Sequence, residues 1–268
     1  MPLADLQIAL GLMVTTQSAA RGSADAPNFN NLRLTAAERG WLSQLPGDPG
    51  FNVTCHIQRW WRETKLGWTT SLTLAALGPE RADATLKAYL EATPCASLFF
   101  TPEALGFLDF VAGMSEWKEW TDWPHVAEIA RFERALLIAK EAAQQAVDRP
   151  FGDDEIPSGA RLSPHPAAAL LEFAAQPAEL LGALVERRSL PPVMATRFPV
   201  LVAPGLTYLW RPASADESRL FNRCRSAPSV EDLLASVPDT APTLRGLVSA
   251  CALLPDASVL LSREKATE

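Results

Sequence analysis

The chain has 268 residues, 48% hydrophobic and 21% charged, with 22 prolines against 14 glycines, a composition that suits one large soluble domain or two modest ones. Its net charge of −7 comes from 13 basic and 20 acidic side chains in residues 1–159 and 11 of each in residues 160–268. Neither part has the basic excess that phosphate binding requires, the longest apolar runs are far too short to span a bilayer, and Cys55, Cys95, Cys224 and Cys251 show no metal-type spacing.

The first part reads helical almost throughout. Leu3 to Ser18 forms an amphipathic helix with Asp5 and no basic n-region, which is not the pattern of a signal peptide. A second helix starts at Thr35, with Glu38 three residues on as a capping box. After the turn at Pro46–Gly50 come FNVTCHIQRWWRETKL and, beyond Gly67, WTTSLTLAAL. Pro79, Pro102 and Pro124 then open further helices, each proline falling in a first turn where its missing N–H costs nothing. The helix after Pro124 is the longest and runs to about Val147. Asp148 to Gly159 is polar and turn-rich and reads as a linker. The expected division is therefore a helical domain over 1–148, a linker over 149–159 and a second domain over 160–268.

Beyond the linker the periodicity changes. AAALLEFAA is short and apolar and fits either strand or helix. Pro177 opens a helix. RFPVLVAPGLTYLWRPAS reads as two strands around a Pro204–Gly205 turn, with proline supplying φ near −65° and glycine a positive φ. Three short helices follow, near Asp216–Arg225, Val230–Val237 and Thr243–Leu254. The last would align Leu244, Leu247, Val248, Cys251 and Leu254 on one face. SVLLS reads as a terminal strand or an ordered tail. The fold class expected is α+β: an all-helical N-terminal domain, then a small antiparallel sheet with short helices.

Several clusters invite a functional reading. Arg59, Trp60, Trp61 and Arg62 are adjacent, and consecutive helical residues point about 100° apart, so one tryptophan packs inward. The other, with an arginine, suits a partner interface, where Trp and Arg are enriched. Trp117, Trp120 and Trp123 recur every three residues and read as a packed corner. His125 and Glu128 share a helix face, but two ligands without a third make no metal site. No serine or cysteine pairs convincingly with a base, and no phosphate-binding glycine loop is present. The cysteines read as reduced core thiols of a cytoplasmic protein.

The order of hairpin and three short helices over 196–254, including APSVEDLLASV, resembles the PqqD-like winged-helix module called a RiPP recognition element. LADLQIALGL, LTAAERGWLSQLPGDPGFNVTCHIQRWWRETKL and WPHVAEIARFERALLIAKEAA resemble the helical half of TglI/MbnC-type partner proteins of multinuclear-iron TIM-barrel enzymes. LVAPG, LWRPAS and Glu217 fit the same group. The resemblance implies a non-catalytic subunit in a heterodimer with such an enzyme. It also implies that iron is held by the partner, that this chain carries no cofactor, and that a ribosomal precursor peptide is held by strand addition. Its chemistry would be cysteine modification of the 3-thiaglutamate kind, or of the methanobactin kind.

On that reading the backbone of Thr207, Tyr208, Leu209, Trp210 and Arg211 pairs with the peptide through about five hydrogen bonds at roughly 1 kcal/mol net each, unless the sheet's other edge does so. Arg245, Val248, Ser249 and Ala252 form the helix side of a groove, and Arg59, Trp60, Trp61 and Arg62 meet the partner enzyme. The helical phrases also resemble a family described as DNA-binding domains, which would make the chain a transcriptional regulator. The charge distribution opposes that reading.

Overall fold

The computed structural model describes residues 3–19, 29–93, 99–114, 120–145, 156, 159–236 and 241–255. It is a mixed α+β protein, mostly helical, with small antiparallel sheets. Packing divides it into two compact units, Met1–Gly113 and Met114–Glu268.

The first unit contains α1 (Leu3–Ala19), α2 (Ala36–Gln44), α3 (Pro49–Thr69), α4 (Ser71–Leu77), α5 (Pro79–Ala92) and α6 (Phe100–Gly113). Local chemistry sets the helix starts. Thr35 and Glu38 close a capping box on α2, and the Asp48 side chain accepts the Phe51 N–H at the start of α3, with Pro49 in the first turn. Contrary to the sequence reading, α3 continues through Gly67; the break falls at Thr70, whose φ of −128° is not helical. Ala9, Met13, Leu42, Phe51 and Cys55 form one buried cluster. Tyr89 lies edge-on to Phe107 and Phe110.

The second unit opens with α7 (Trp123–Gln144) and continues through β1 (Leu162–Pro164), β2 (Ala169–Phe173), α8 (Pro177–Val185), β3 (Phe198–Val202), β4 (Trp210–Pro212), α9 (Ala215–Arg223), α10 (Val230–Ser236), α11 (Ala241–Ser249) and β5 (Leu253–Pro255). AAALLEFAA thus resolves as a strand. β2, β3 and β4 form an antiparallel sheet in that order, and β1 pairs with β5. Strand side chains alternate between faces. One face presents Phe173 and Trp210 to Phe132 of α7, each ring edge-on at a centroid distance of 5.5 Å. The other face sends Leu201, together with Ala203 just past β3, into a core with Leu220, Phe221, Leu233, Leu244, Leu247 and Val248.

The observed division, after Gly113, differs from the expected boundary at 148. The long helix belongs to the second unit because its apolar side covers the sheet. Its buried Glu128 is also committed there: Oε2 accepts the Ala174 N–H at 2.9 Å, and Oε1 accepts from Arg197 at 2.9 Å. Most of the expected linker lies outside the described residues, as do Cys95, Trp117 and SVLLS.

The last helix ends earlier than its apolar spacing suggests. Cys251 takes φ +51°, its N–H bonds to the Val248 carbonyl, and the Ala252 N–H bonds to the Leu247 carbonyl. This is a Schellman closure, with cysteine at the left-handed position that glycine usually fills. Leu254 therefore sits on β5, not on the helix.

Candidate functional site

β3 alternates its hydrogen bonds between its two neighbours, as an inner antiparallel strand must. The Ala203 N–H bonds to the Leu209 carbonyl, and the Ala213 N–H to the Pro199 carbonyl, both at 2.9 Å. With Val202 opposite Trp210 and Val200 opposite Pro212, those two β4 residues direct their backbone groups away from β3. The outer edge of β4 therefore offers the N–H and C=O of Trp210 and the C=O of Pro212. Proline contributes no donor, and its carbonyl already accepts from the Arg211 guanidinium at 3.1 Å.

This corrects the expected five-residue pairing stretch. Thr207, Tyr208 and Leu209 lie in the connection before β4, not in a strand. Leu209 takes φ +62° and donates its N–H to the Leu206 carbonyl. Arg211 pairs inward with Leu201. Its guanidinium grips the Glu217 carboxylate, which holds that carboxyl below its usual range and raises the guanidinium's own pKa. Trp210 alone keeps both backbone groups on the outer edge. Beside it, Tyr208 is 81% exposed.

The Pro204–Gly205 turn also differs in cause. Gly205 does not take a positive φ. It is required by close approach, because a Cβ there would lie 2.6 Å from the Ala250 carbonyl carbon. Its N–H bonds to the Ala250 carbonyl at 3.0 Å, tying the connection to the end of α11.

The proposed helix side of the groove divides in two. Arg245 and Ser249 are exposed, whereas Val248 and Ala252 are buried in the core between the sheet and α9–α11. Neither buried residue is available to a peptide. The Ala252 carbonyl is also taken by the His165 N–H.

The other border of the sheet is the outer edge of β2. By the same alternation, Leu170 and Glu172 direct their backbone groups outward. The next outward residue, Ala174, is occupied by this chain: its N–H by Glu128 and its carbonyl by the Met194 N–H at 2.6 Å. This two-residue edge was not singled out in the sequence, because its register depends on which β3 residues turn toward β4.

In the first unit, the Arg-Trp-Trp-Arg block splits by helix face. Arg62 is 2% exposed and binds Glu103, with Nη2 2.7 Å from Oε1, and it donates to the Thr93 carbonyl at 3.0 Å. It is an internal structural cation and does not face a partner. Arg59 pairs with Glu63 along the helix at 2.9 Å. Trp60 is 61% exposed and Trp61 is half-buried. The Trp-rich corner is packed at Trp123, which is buried, and half-buried at Trp120.

His125 and Glu128 do come together. His125 is fully buried, its Nε2 is 2.9 Å from the Pro191 carbonyl, and its Nδ1 makes no hydrogen bond and lies 3.7 Å from Glu128 Oε2. Attraction to the Glu128 carboxylate raises the imidazole pKa against the opposing effect of burial. Among the described residues no three His, Cys, Asp or Glu side chains are grouped so as to hold a metal ion. Cys55, Cys224 and Cys251 are buried, and burial raises the Cys224 thiol to about 11, where the nucleophilic thiolate is scarce at neutral pH. Among the described residues no helix is long and apolar enough to cross a membrane.

No protein-family model matches the chain, and no curated protein matches it.

Proposed function

We propose that this chain is a non-catalytic peptide-holding subunit. In this reading a ribosomal precursor peptide is held in extended form on an open edge of the β2–β3–β4 sheet and presented to a separate TIM-barrel iron enzyme. The second unit acts as a PqqD-like winged-helix recognition element, the helical unit docks the enzyme through the Trp60–Trp61 region, and the iron resides in that partner. The pathway is of the 3-thiaglutamate kind, and the setting is the cytoplasm.

The observation that carries the reading is the outward backbone of Trp210 on an edge strand, next to the exposed ring of Tyr208. Extended peptides add to such edges, with backbone bonds giving affinity and alternate side chains giving specificity. Only about two hydrogen bonds at roughly 1 kcal/mol net each are available at Trp210, so side-chain burial against Trp210 and Tyr208 supplies most of the binding. The captured segment is accordingly short and apolar where it crosses Trp210.

The test is titration of the full chain with a fluorescein-labelled precursor peptide encoded beside its gene. Saturable binding that Tyr208→Ala weakens at least tenfold, with an unchanged circular dichroism spectrum, is the expected result. No saturable binding by the folded chain removes the proposal.

A further inference from the structure

The outer edge of β2 is open over a short window that the chain itself closes at both ends. Past its far end, the Ala174 N–H is taken by the Glu128 carboxylate and the Ala174 carbonyl by the Met194 N–H at 2.6 Å. Ala174 thus receives an acceptor and a donor much as a neighbouring strand would supply them. Before its near end, the Ala168 N–H bonds to the His165 carbonyl at 2.8 Å. Between these stops lie Leu170 and Glu172, whose backbone groups point outward by the register with β3. Each presents an N–H and a C=O, so the window offers twice the backbone groups that Trp210 does.

The side chains decide what kind of segment fits. Residues directly opposite each other on antiparallel strands carry their side chains on the same face, about 4.5–5.5 Å apart. Leu170 is half-buried at the rim of the core that contains Leu201, Leu220, Phe221 and Leu247. A residue opposite it gains most by being apolar. Glu172 shares that face, since strand side chains alternate. It is exposed, and among the described residues no cation pairs with it. Its neighbour on the β3 side is Pro199, which brings no charge. A residue opposite Glu172 gains by being basic, because opposite charges stabilise a cross-strand pair and like charges destabilise it.

We propose that the β2 window is a second strand-addition site, taking an extended precursor segment with a Lys or Arg two residues from an apolar side chain. This rests on the peptide-holding reading and adds a chemistry to it: the segment on β2 is basic where it meets Glu172, whereas the segment crossing Trp210 is apolar. A charge on an edge strand also guards against edge-to-edge aggregation. A guard works with either sign of charge, but selection of a basic residue does not.

Backbone amide hydrogen exchange of the full chain, titrated with the synthetic peptide Thr-Leu-Thr-Lys-Thr-Leu-Thr, tests the proposal; leucine on both sides serves either chain direction. At about twice the Kd, the Leu170 and Glu172 amides should exchange about threefold more slowly, since a third of the edges remain free. Replacing the peptide's lysine by glutamate should weaken binding about threefold or more. Glu172→Lys should reverse that order, with an unchanged circular dichroism spectrum. The Ala174 amide, already held by Glu128, is the internal control and should not respond. Unchanged exchange at Leu170 and Glu172 up to about 10 mM peptide, beyond the range of weak strand pairing, overturns the proposal. So does a charge order that Glu172→Lys leaves in place, or protection that grows with protein concentration without peptide, which would make a second copy the occupant. If the labelled precursor still saturates the chain through Tyr208 while these amides stay unprotected, only the β2 site falls. Loss of that saturable binding removes the peptide-holding reading itself.

Discussion

Phe132 lies edge-on to Trp210 at a centroid distance of 5.5 Å, so the strand whose edge is the candidate peptide site is backed by α7, a helix far earlier in the chain. A fragment beginning at residue 160 removes that support and exposes the Phe173 and Trp210 rings to water. We expect a 114–268 fragment to melt cooperatively and a 160–268 fragment to lose cooperativity in a calorimetric scan. In the full chain Phe132→Ala should cost about 3–5 kcal/mol in urea unfolding, as for other buried aromatics.

The ion pair of Arg62 and Glu103 is buried on both sides. Removing one member leaves the other charge without its partner, so Arg62→Ala should destabilise the first unit by about 3–5 kcal/mol. Joint replacement by Arg62→Met and Glu103→Leu should cost much less. Chemical unfolding of the three variants checks this. A role for Arg62 at an interface would instead leave the stability of the isolated chain nearly unchanged.

Pro212 removes a donor from the outer edge of β4. If the precursor pairs there, Pro212→Ala adds one outward N–H and should tighten binding by about 1 kcal/mol, roughly fivefold. If it pairs on β2, affinity is unchanged and substitution near Glu172 has the effect instead. The same labelled-peptide titration reads both outcomes.

Gly205→Ala should destabilise the second unit by about 1–3 kcal/mol, a usual cost of overpacking, because the added methyl meets the Ala250 backbone. Thermal unfolding measures it. Gly246→Ala, where no atom lies within 4 Å of the added Cβ, serves as the tolerated control.

His125 should make stability depend on pH. Its folded pKa lies above the ordinary imidazole value of 6.5, chiefly because Glu128 attracts the cation, with the Pro191 carbonyl and Asp122 acting in the same direction and burial against it. A raised folded pKa means the contribution is complete below the unfolded pKa and is lost as pH rises through the folded one. Urea unfolding from about pH 5 to about pH 8, the range in which imidazoles titrate, should show a decline that His125→Gln lacks.

Signals carried within one helical turn were legible in the sequence. The Thr35–Glu38 box, the prolines in the first turns of α5, α6, α7 and α8, the start of α10 at Ser229–Asp232, and the order of hairpin and three helices all appear where the residues indicate, because capping and proline chemistry act over three or four positions. The fate of Arg62, the membership of α7 and the outward register of Trp210 did not follow from such signals. The first two depend on partners far along the chain, Glu103 for Arg62 and Phe173 and Ala174 for α7, and the third depends on the register with Val202 across the connection between β3 and β4. Helix periodicity says that a residue has an apolar or polar side. Only the packed structure decides which neighbour that side meets, since burial and strand pairing are settled by long-range contacts. The sequence thus determined the helix starts and the order of hairpin and short helices, and the tertiary structure determined that Ala169–Phe173 is a strand, that β1 pairs with β5, and which edges and faces are left for another molecule.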